Sequence, residues 1–153
     1  RTKMEKTLVL LKPDTLQRNL VGPIISRLEQ RGLTIIGLKL LQMDNALASK
    51  HYSAHQDKPF FGPLVEFITS GPIVAIALQG KDCVAVVRNT MGSTNPVEAN
   101  PGTIRGDFGI DIGRNLIHGS DSVESAQTEL GIFFDKSELL EEYKDISSWV
   151  IES

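Results

Sequence analysis

Short apolar runs of strand length alternate along this chain with segments of helical period, and that order limits the fold more than any other feature. Residues 7–11 (Thr-Leu-Val-Leu-Leu) read as a central strand. Residues 21–31 read as a helix with Ile24, Ile25 and Leu28 as its apolar stripe and Gly32 as its terminator. A second strand is expected over 33–41, then two short helices over 45–51 and 63–69 on either side of a turn at Asp57-Lys58-Pro59. Residues 73–78 follow Gly71-Pro72 as a third strand. Asp82 is the expected N-cap of a helix carrying Val84, Val87 and Met91 at i, i+3 and i+7. A brief strand over 115–118 and a helix over 123–130, capped by Ser122 and stopped by Gly131, complete the pattern. The order βαββαβ, with extra short helices after the second strand, predicts an α+β ferredoxin-like fold: a four-stranded antiparallel sheet with helices on one face.

A chain of 153 residues has the usual size of one domain, and no repeat or linker divides it, so residues 1–153 are expected to form a single unit. The formal net charge of −3 gives no broad attraction to nucleic acid, so an anionic ligand must be met by local groups. The longest apolar runs fall far short of a membrane span. The single cysteine, Cys83, permits no internal disulfide and fits a reducing compartment. Residues 1–3 lack the apolar core of a secretory signal, Met4 is a candidate native start, and a cytoplasmic location is expected.

Residues 92–114 fit no element. They hold Gly92, Gly102, Gly106, Gly109 and Gly113, together with Pro96 and Pro101, and have no sustained apolar period. A structureless segment of this length inside a domain is uncommon and usually functional or mobile. Thr94, Thr103, Arg105 and Arg114 give it donors suited to phosphate, which predicts a long ordered loop before the last strand. The alternative is a solvated insertion.

The three histidines differ in context. His51 and His55 have the i, i+4 spacing of a zinc pair, but no HExxH and no cysteine pair accompanies them, so they read as surface histidines flanking Tyr52. His118 ends an apolar strand and is followed by Gly119 and the helix-starting run Ser120-Asp121-Ser122. A strand-to-helix turn of this kind is rich in unpaired backbone N–H groups and favours anions, and an imidazole there has a ring nitrogen able to attack phosphorus. By pattern alone His118 also reads as a satisfied structural residue.

The block Asn115-Leu116-Ile117-His118-Gly119-Ser120-Asp121-Ser122 resembles the active-site signature of nucleoside diphosphate kinases, in which the histidine becomes phosphorylated. The resemblance extends to Leu11-Lys12-Pro13-Asp14, to His55 with Lys58-Pro59-Phe60-Phe61, to Ser70-Gly71-Pro72, to Thr94-Asn95-Pro96 and to the run from Pro101 to Phe108. In order and spacing it covers about residues 5–152. The chain departs from the family at Thr15 and Asn19, where members commonly carry glycine.

What the resemblance implies is a ping-pong enzyme. A nucleoside triphosphate phosphorylates His118, the diphosphate leaves, and a second diphosphate takes the phosphate. On the same ground Lys12 and Arg105 approach the terminal phosphate, Arg88 and Thr94 hold the inner phosphates, and Tyr52 hydrogen-bonds near the lysine. Asn115 and Lys12 contact the ribose. Phe60 and Ile112 sandwich the base, while Phe61 fills the core. Glu129, with Ser120 as its hydrogen-bonded neighbour, orients the imidazole. Magnesium is implied as cofactor, bridging the phosphates without direct protein ligands. A homo-oligomer, a hexamer by its C-terminal extension with Trp149, completes the expectation. Strand alternation would place Asn115 and His118 on opposite faces, so Asn115 is expected just before the regular strand. No P-loop or kinase glycine loop occurs. An RNA-binding domain would need exposed strand aromatics that residues 7–11 lack. A catalytically silent nucleotide-binding or scaffold protein of the same fold is the other reading.

Overall fold

The computed structural model describes residues 4–152, and residues 1–3, expected to precede a native start at Met4, lie outside them, as does residue 153. Four strands, β1 (Met4–Leu11), β2 (Thr34–Leu41), β3 (Ile73–Lys81) and β4 (Ile117–Gly119), form one sheet in the order β2-β3-β1-β4. Every neighbouring pair is antiparallel, with Leu10 opposite His118 and Ala75 opposite both Leu10 and Lys39. This is the expected ferredoxin-like topology. Around the sheet lie α1 (Pro13–Gln17), α2 (Val21–Gln30), α3 (Asn45–His51), α4 (Phe61–Ile68), α5 (Cys83–Met91), α6 (Ile104–Phe108), α7 (Val123–Phe133) and α8 (Ser147–Val150).

The helices cover both faces of the sheet, not one. Val9, Leu11, Ile76 and Leu78 pack with Ile24 and Leu28 of α2 and Val87 and Met91 of α5. Leu8, Leu10, Ala75 and Ala77 pack instead with Ala48 of α3, Ile68 of α4 and Leu130 and Phe133 of α7. Strands buried on both faces read as continuous apolar runs without alternation, and Leu8 to Leu11 is such a run.

Several local expectations are corrected. Asp82 adopts a left-handed conformation, φ 50°, and makes no capping hydrogen bond, so α5 starts without the expected side-chain cap. Gly131 does not stop α7, which continues to Phe133 because Leu130, Phe133 and Phe134 are all drawn into the core. The first helix after β1, α1, was not foreseen; Pro13 opens it at a position where a missing N–H costs nothing. The segment 92–114 is ordered as expected but contains structure: a 3-10 turn at Pro96–Glu98, α6, and a second 3-10 turn at Ile112–Arg114. Side-chain caps hold these pieces. The Asn95 carboxamide accepts from the Val97 N–H, Thr103 accepts from the Gly106 N–H at 3.0 Å, and Asp111 accepts from the Gly113 N–H. Among the described residues no helix is long and apolar enough to cross a membrane.

Candidate active site

Three pieces of backbone converge beside the end of β1. At its C-terminal end the Lys12 N–H donates to the Leu116 carbonyl at 2.9 Å, which ties the start of α1 to the segment that enters β4. Leu116 itself has φ 74°, a left-handed conformation that costs a non-glycine residue about 1–2 kcal/mol. Three neighbours hold it there. Asp14 accepts its N–H at 3.0 Å, Thr15 donates its hydroxyl to its carbonyl at 2.6 Å, and Lys12 supplies the third bond. Thr15, one of the two departures from the family pattern, is therefore built into the support of this turn and fully buried. The turn puts Asn115 just ahead of the strand, at φ −98° and ψ 19°, as expected, and lets His118 join the sheet opposite Leu10.

His118 faces the side of the sheet covered by α3 and α7. Its Nε2 lies 2.6 Å from Oε1 of Glu129 on α7, and the buried Ser120 hydroxyl donates to the same oxygen at 3.2 Å. Burial works against a charge on Glu129, but the hydrogen bonds and charge from His118, with His51 and Ser120, outweigh it and hold the carboxyl below its ordinary pKa. An ionised carboxylate only accepts, so Nε2 carries the proton and Nδ1 keeps its lone pair.

The basic groups are Lys12 at the start of α1, Arg88 on α5 and Arg105 on α6. Lys12 donates from Nζ to the Asn115 side-chain oxygen at 2.8 Å, and the Asn115 amide nitrogen donates to the Thr94 carbonyl at 3.0 Å. Asn115 thus links the first strand to the long segment. Burial, reinforced by the charge of Arg105 and partly relieved by Asp14, lowers the Lys12 pKa to about 8. Arg105 is 5% exposed and donates to the carbonyls of Asn115, Gly92 and Ile117 at 3.2, 3.1 and 2.6 Å. Burial and the neighbouring Arg88 lower its pKa to about 10. Of a guanidinium's five N–H donors, these bonds engage three. Arg88, on α5, donates to the Gly119 carbonyl at 3.1 Å. Gly119 also lets Met91 and Val87 of α5 pack close to β4: a Cβ there would lie 2.6 Å from the Met91 sulfur.

Phe60 is 46% exposed at the start of α4, and Ile112 is exposed in the second 3-10 turn. Phe61 is half-buried. The other loop donors are spent elsewhere: Thr103 caps α6, and the Arg114 guanidinium lies 4.0 Å from the centre of the Phe67 ring. Tyr52, at the end of α3, is half-buried, and burial raises its pKa to about 12.

One expected surface residue is inside the site. The His51 ring stands edge-on to His118 with centroids 4.9 Å apart, touches Tyr52 at 4.7 Å and Phe133 at 5.2 Å, and finds no partner for either ring nitrogen among the described residues. Burial, then the proximity of His118 and Lys12 with Glu129 opposing, lowers its pKa to about 4, so its imidazole is neutral at pH 7. Its position follows from helix α3 covering the same sheet face as β4's histidine. His55 stays apart from it, 5.5 Å from the Phe60 ring, so the i, i+4 pair does not converge on one point. Asp14 is the second residue whose part was not foreseen, although it stands inside the quoted Lys12-Pro13-Asp14 block.

The family model of nucleoside diphosphate kinase matches residues 5–139. A nucleoside diphosphate kinase of Herpetosiphon aurantiacus is 55% identical over 149 residues, 97% of this chain and 100% of the relative. One of Gloeobacter violaceus is 56% identical over the same spans. Among solved structures, a halophilic nucleoside diphosphate kinase from Halobacterium salinarum in complex with CDP superposes with a TM-score of 0.94 at 49% identity, covering 98% of this chain and 100% of that one. A nucleoside diphosphate kinase family protein from Babesia bovis gives 0.92 at 37% identity, covering 96% and 99%. With a carboxylate-bound imidazole two residues beyond a turn that also anchors Lys12 and Arg105, and with these matches along nearly its whole length, the chain belongs to the nucleoside diphosphate kinase family.

Proposed function

We propose that this enzyme moves the terminal phosphate of a nucleoside triphosphate to a nucleoside diphosphate through phosphorylated His118. The observation that carries this reading is the 2.6 Å contact between His118 Nε2 and Glu129, which leaves Nδ1 as the nucleophile. Phosphoryl transfer asks mainly for alignment and positive charge around the moving group. Lys12 and Arg105 supply that charge at the terminal phosphate, while Arg88 adds charge and Thr94 a hydroxyl donor at the inner phosphates. As Nδ1 forms its bond to phosphorus and the bond to the leaving diphosphate oxygen breaks, the imidazole gains positive charge, which the Glu129 carboxylate stabilises across Nε2–H. A second diphosphate then attacks the phosphohistidine by the reverse path. Tyr52 hydrogen-bonds beside Lys12, Asn115 and Lys12 hold the ribose, and Phe60 with Ile112 clasp the base.

Magnesium fits the chemistry of these donors when it is carried by the nucleotide. Glu129 is committed to His118 and Ser120, Asp14 to Leu116, and Asp107 to Arg27, while the groups proposed for the phosphates are cations and one hydroxyl. When bound with the nucleotide, magnesium would supply charge neutralisation of the phosphates that Lys12, Arg88 and Arg105 receive.

A homo-oligomer, a hexamer by the expectation above, is supported by the apolar surface a single chain leaves open: Trp149 is 90% exposed and Leu40 69%. A reducing, cytoplasmic setting agrees with the lone buried thiol of Cys83. Initial rates with ATP and a varied diphosphate test the reaction: parallel double-reciprocal lines are expected, whereas intersecting lines would mean direct transfer without a phosphoenzyme.

A further inference from the structure

His51, His118 and Glu129 bring one ligand atom each to within 4.8 Å of one another, although they come from α3, β4 and α7. Two imidazoles and a carboxylate form a donor set that suits zinc and other d-block divalent cations. It does not suit magnesium, which prefers oxygen alone. The trio is half-buried and ordered from both sides. Phe133 backs the His51 ring, and Ser120 anchors the Glu129 oxygen. A second observation points the same way: both His51 ring nitrogens are buried without a partner among the described residues, although an unsatisfied buried polar group costs about 1–3 kcal/mol. A metal bond to either nitrogen would satisfy it.

We infer that His51, His118 and Glu129 form a site for zinc or a similar d-block cation, and that filling it shuts off phosphoryl transfer. Tetrahedral zinc with bonds of about 2.0–2.1 Å sets its donors roughly 3.3 Å apart. His51 therefore moves inward, while Glu129 backs away from the His118 nitrogen that it now touches at 2.6 Å. Water or a phosphate oxygen takes the fourth position. The proton balance explains the inhibition. If the metal takes the His118 Nε2 lone pair, the proton there is displaced and the ring's one proton sits on Nδ1, removing the electron pair needed for attack. If the metal takes Nδ1, the nucleophile is blocked outright. No redox change is involved. The inhibitory half rests on His118 as the phosphorylated group, whereas the metal site itself does not.

The test uses the full chain without nucleotide, dialysed against buffered Zn2+, and Co2+ as a visible reporter of the coordination. One Zn2+ per chain is expected, with affinity at least tenfold weaker in both His51→Phe and His51→Gln, and the Co2+ absorption should be lost in the same variants. Thermal melts establish that the variants are folded. Zn2+ should also suppress labelling of wild-type protein by γ-labelled ATP, a chelator should restore it, and the half-inhibiting concentration should rise at least tenfold in the two variants. Unchanged zinc affinity in both variants, or no stoichiometric zinc at all, would overturn the site. Zinc held through His51 with labelling undiminished would overturn the inhibitory half and would count against His118 as the nucleophile, leaving the metal site standing.

Discussion

Glu129 reaches from α7 to Nε2 of His118 at 2.6 Å, and this contact decides which nitrogen of the imidazole is free. Glu129→Gln keeps the shape but loses the charge that stabilises the developing imidazolium. A drop of about 10–100-fold in kcat, or about 1.4–2.7 kcal/mol, is expected, with a smaller change in KM. Stability should also change its response to acid. The folded pKa of Glu129 is depressed, so its contribution is present above the unfolded carboxylate value of about 4.3 and is lost as pH falls through the lower folded value. Urea titrations between pH 3 and 6 should show a shallower acid loss in Glu129→Gln, and an equal slope would argue against the charged pair.

Lys12 gives a second pH signature. With its pKa lowered to about 8 by burial and by Arg105, the ammonium is lost from the free enzyme as pH rises through that value. The kcat/KM for a triphosphate should therefore fall above pH 8. Bound phosphate favours the charged form, so the corresponding limb of kcat should lie at higher pH. Paired pH profiles check this, and a kcat/KM flat to pH 10 would remove Lys12 from phosphate binding.

The left-handed Leu116 links stability to catalysis. Asp14→Ala removes the acceptor of its N–H and leaves a buried donor unpaired, a loss of about 1–3 kcal/mol. Chemical denaturation should register that loss, and kcat should fall although Asp14 touches no proposed reacting atom. An unchanged stability would mean that Lys12 and Thr15 hold the turn alone.

Base and ribose should behave differently as recognition elements. Phe60 and Ile112 offer faces rather than edge-reading groups, and stacking tolerates every base. The kcat/KM values of ATP, GTP, CTP and UTP should agree within roughly tenfold. A 3′-deoxy substrate should lose much more, because Lys12 and Asn115, already paired at 2.8 Å, would lack their shared ligand. A strong preference for one base, or an unimpaired 3′-deoxy analogue, would contradict this pocket.

The strands and their order were legible because residues 7–11, 33–41 and 73–78 are apolar runs bounded by turn residues. The covering of both sheet faces is also written in the continuous run Leu8 to Leu11, which marks a central strand but does not say which helices cover each face. The place of His51 is hidden from the sequence for the same reason: its burial depends on α3 crossing the face where His118 emerges. The pairing of Lys12 with Asn115 joins residues 103 apart, and the family blocks supplied both names without the bond between them. The role of Asp14 depends on the φ of Leu116, which no propensity scale specifies.

Incubation with γ-labelled ATP and magnesium, followed by a denaturing gel, tests the central claim most directly. The account expects acid-labile, base-stable label approaching one phosphate per chain in the wild type. His118→Ala, folded by its thermal melt, should carry none. Label on His118→Ala at the wild-type level would contradict His118 as the group that carries the phosphate.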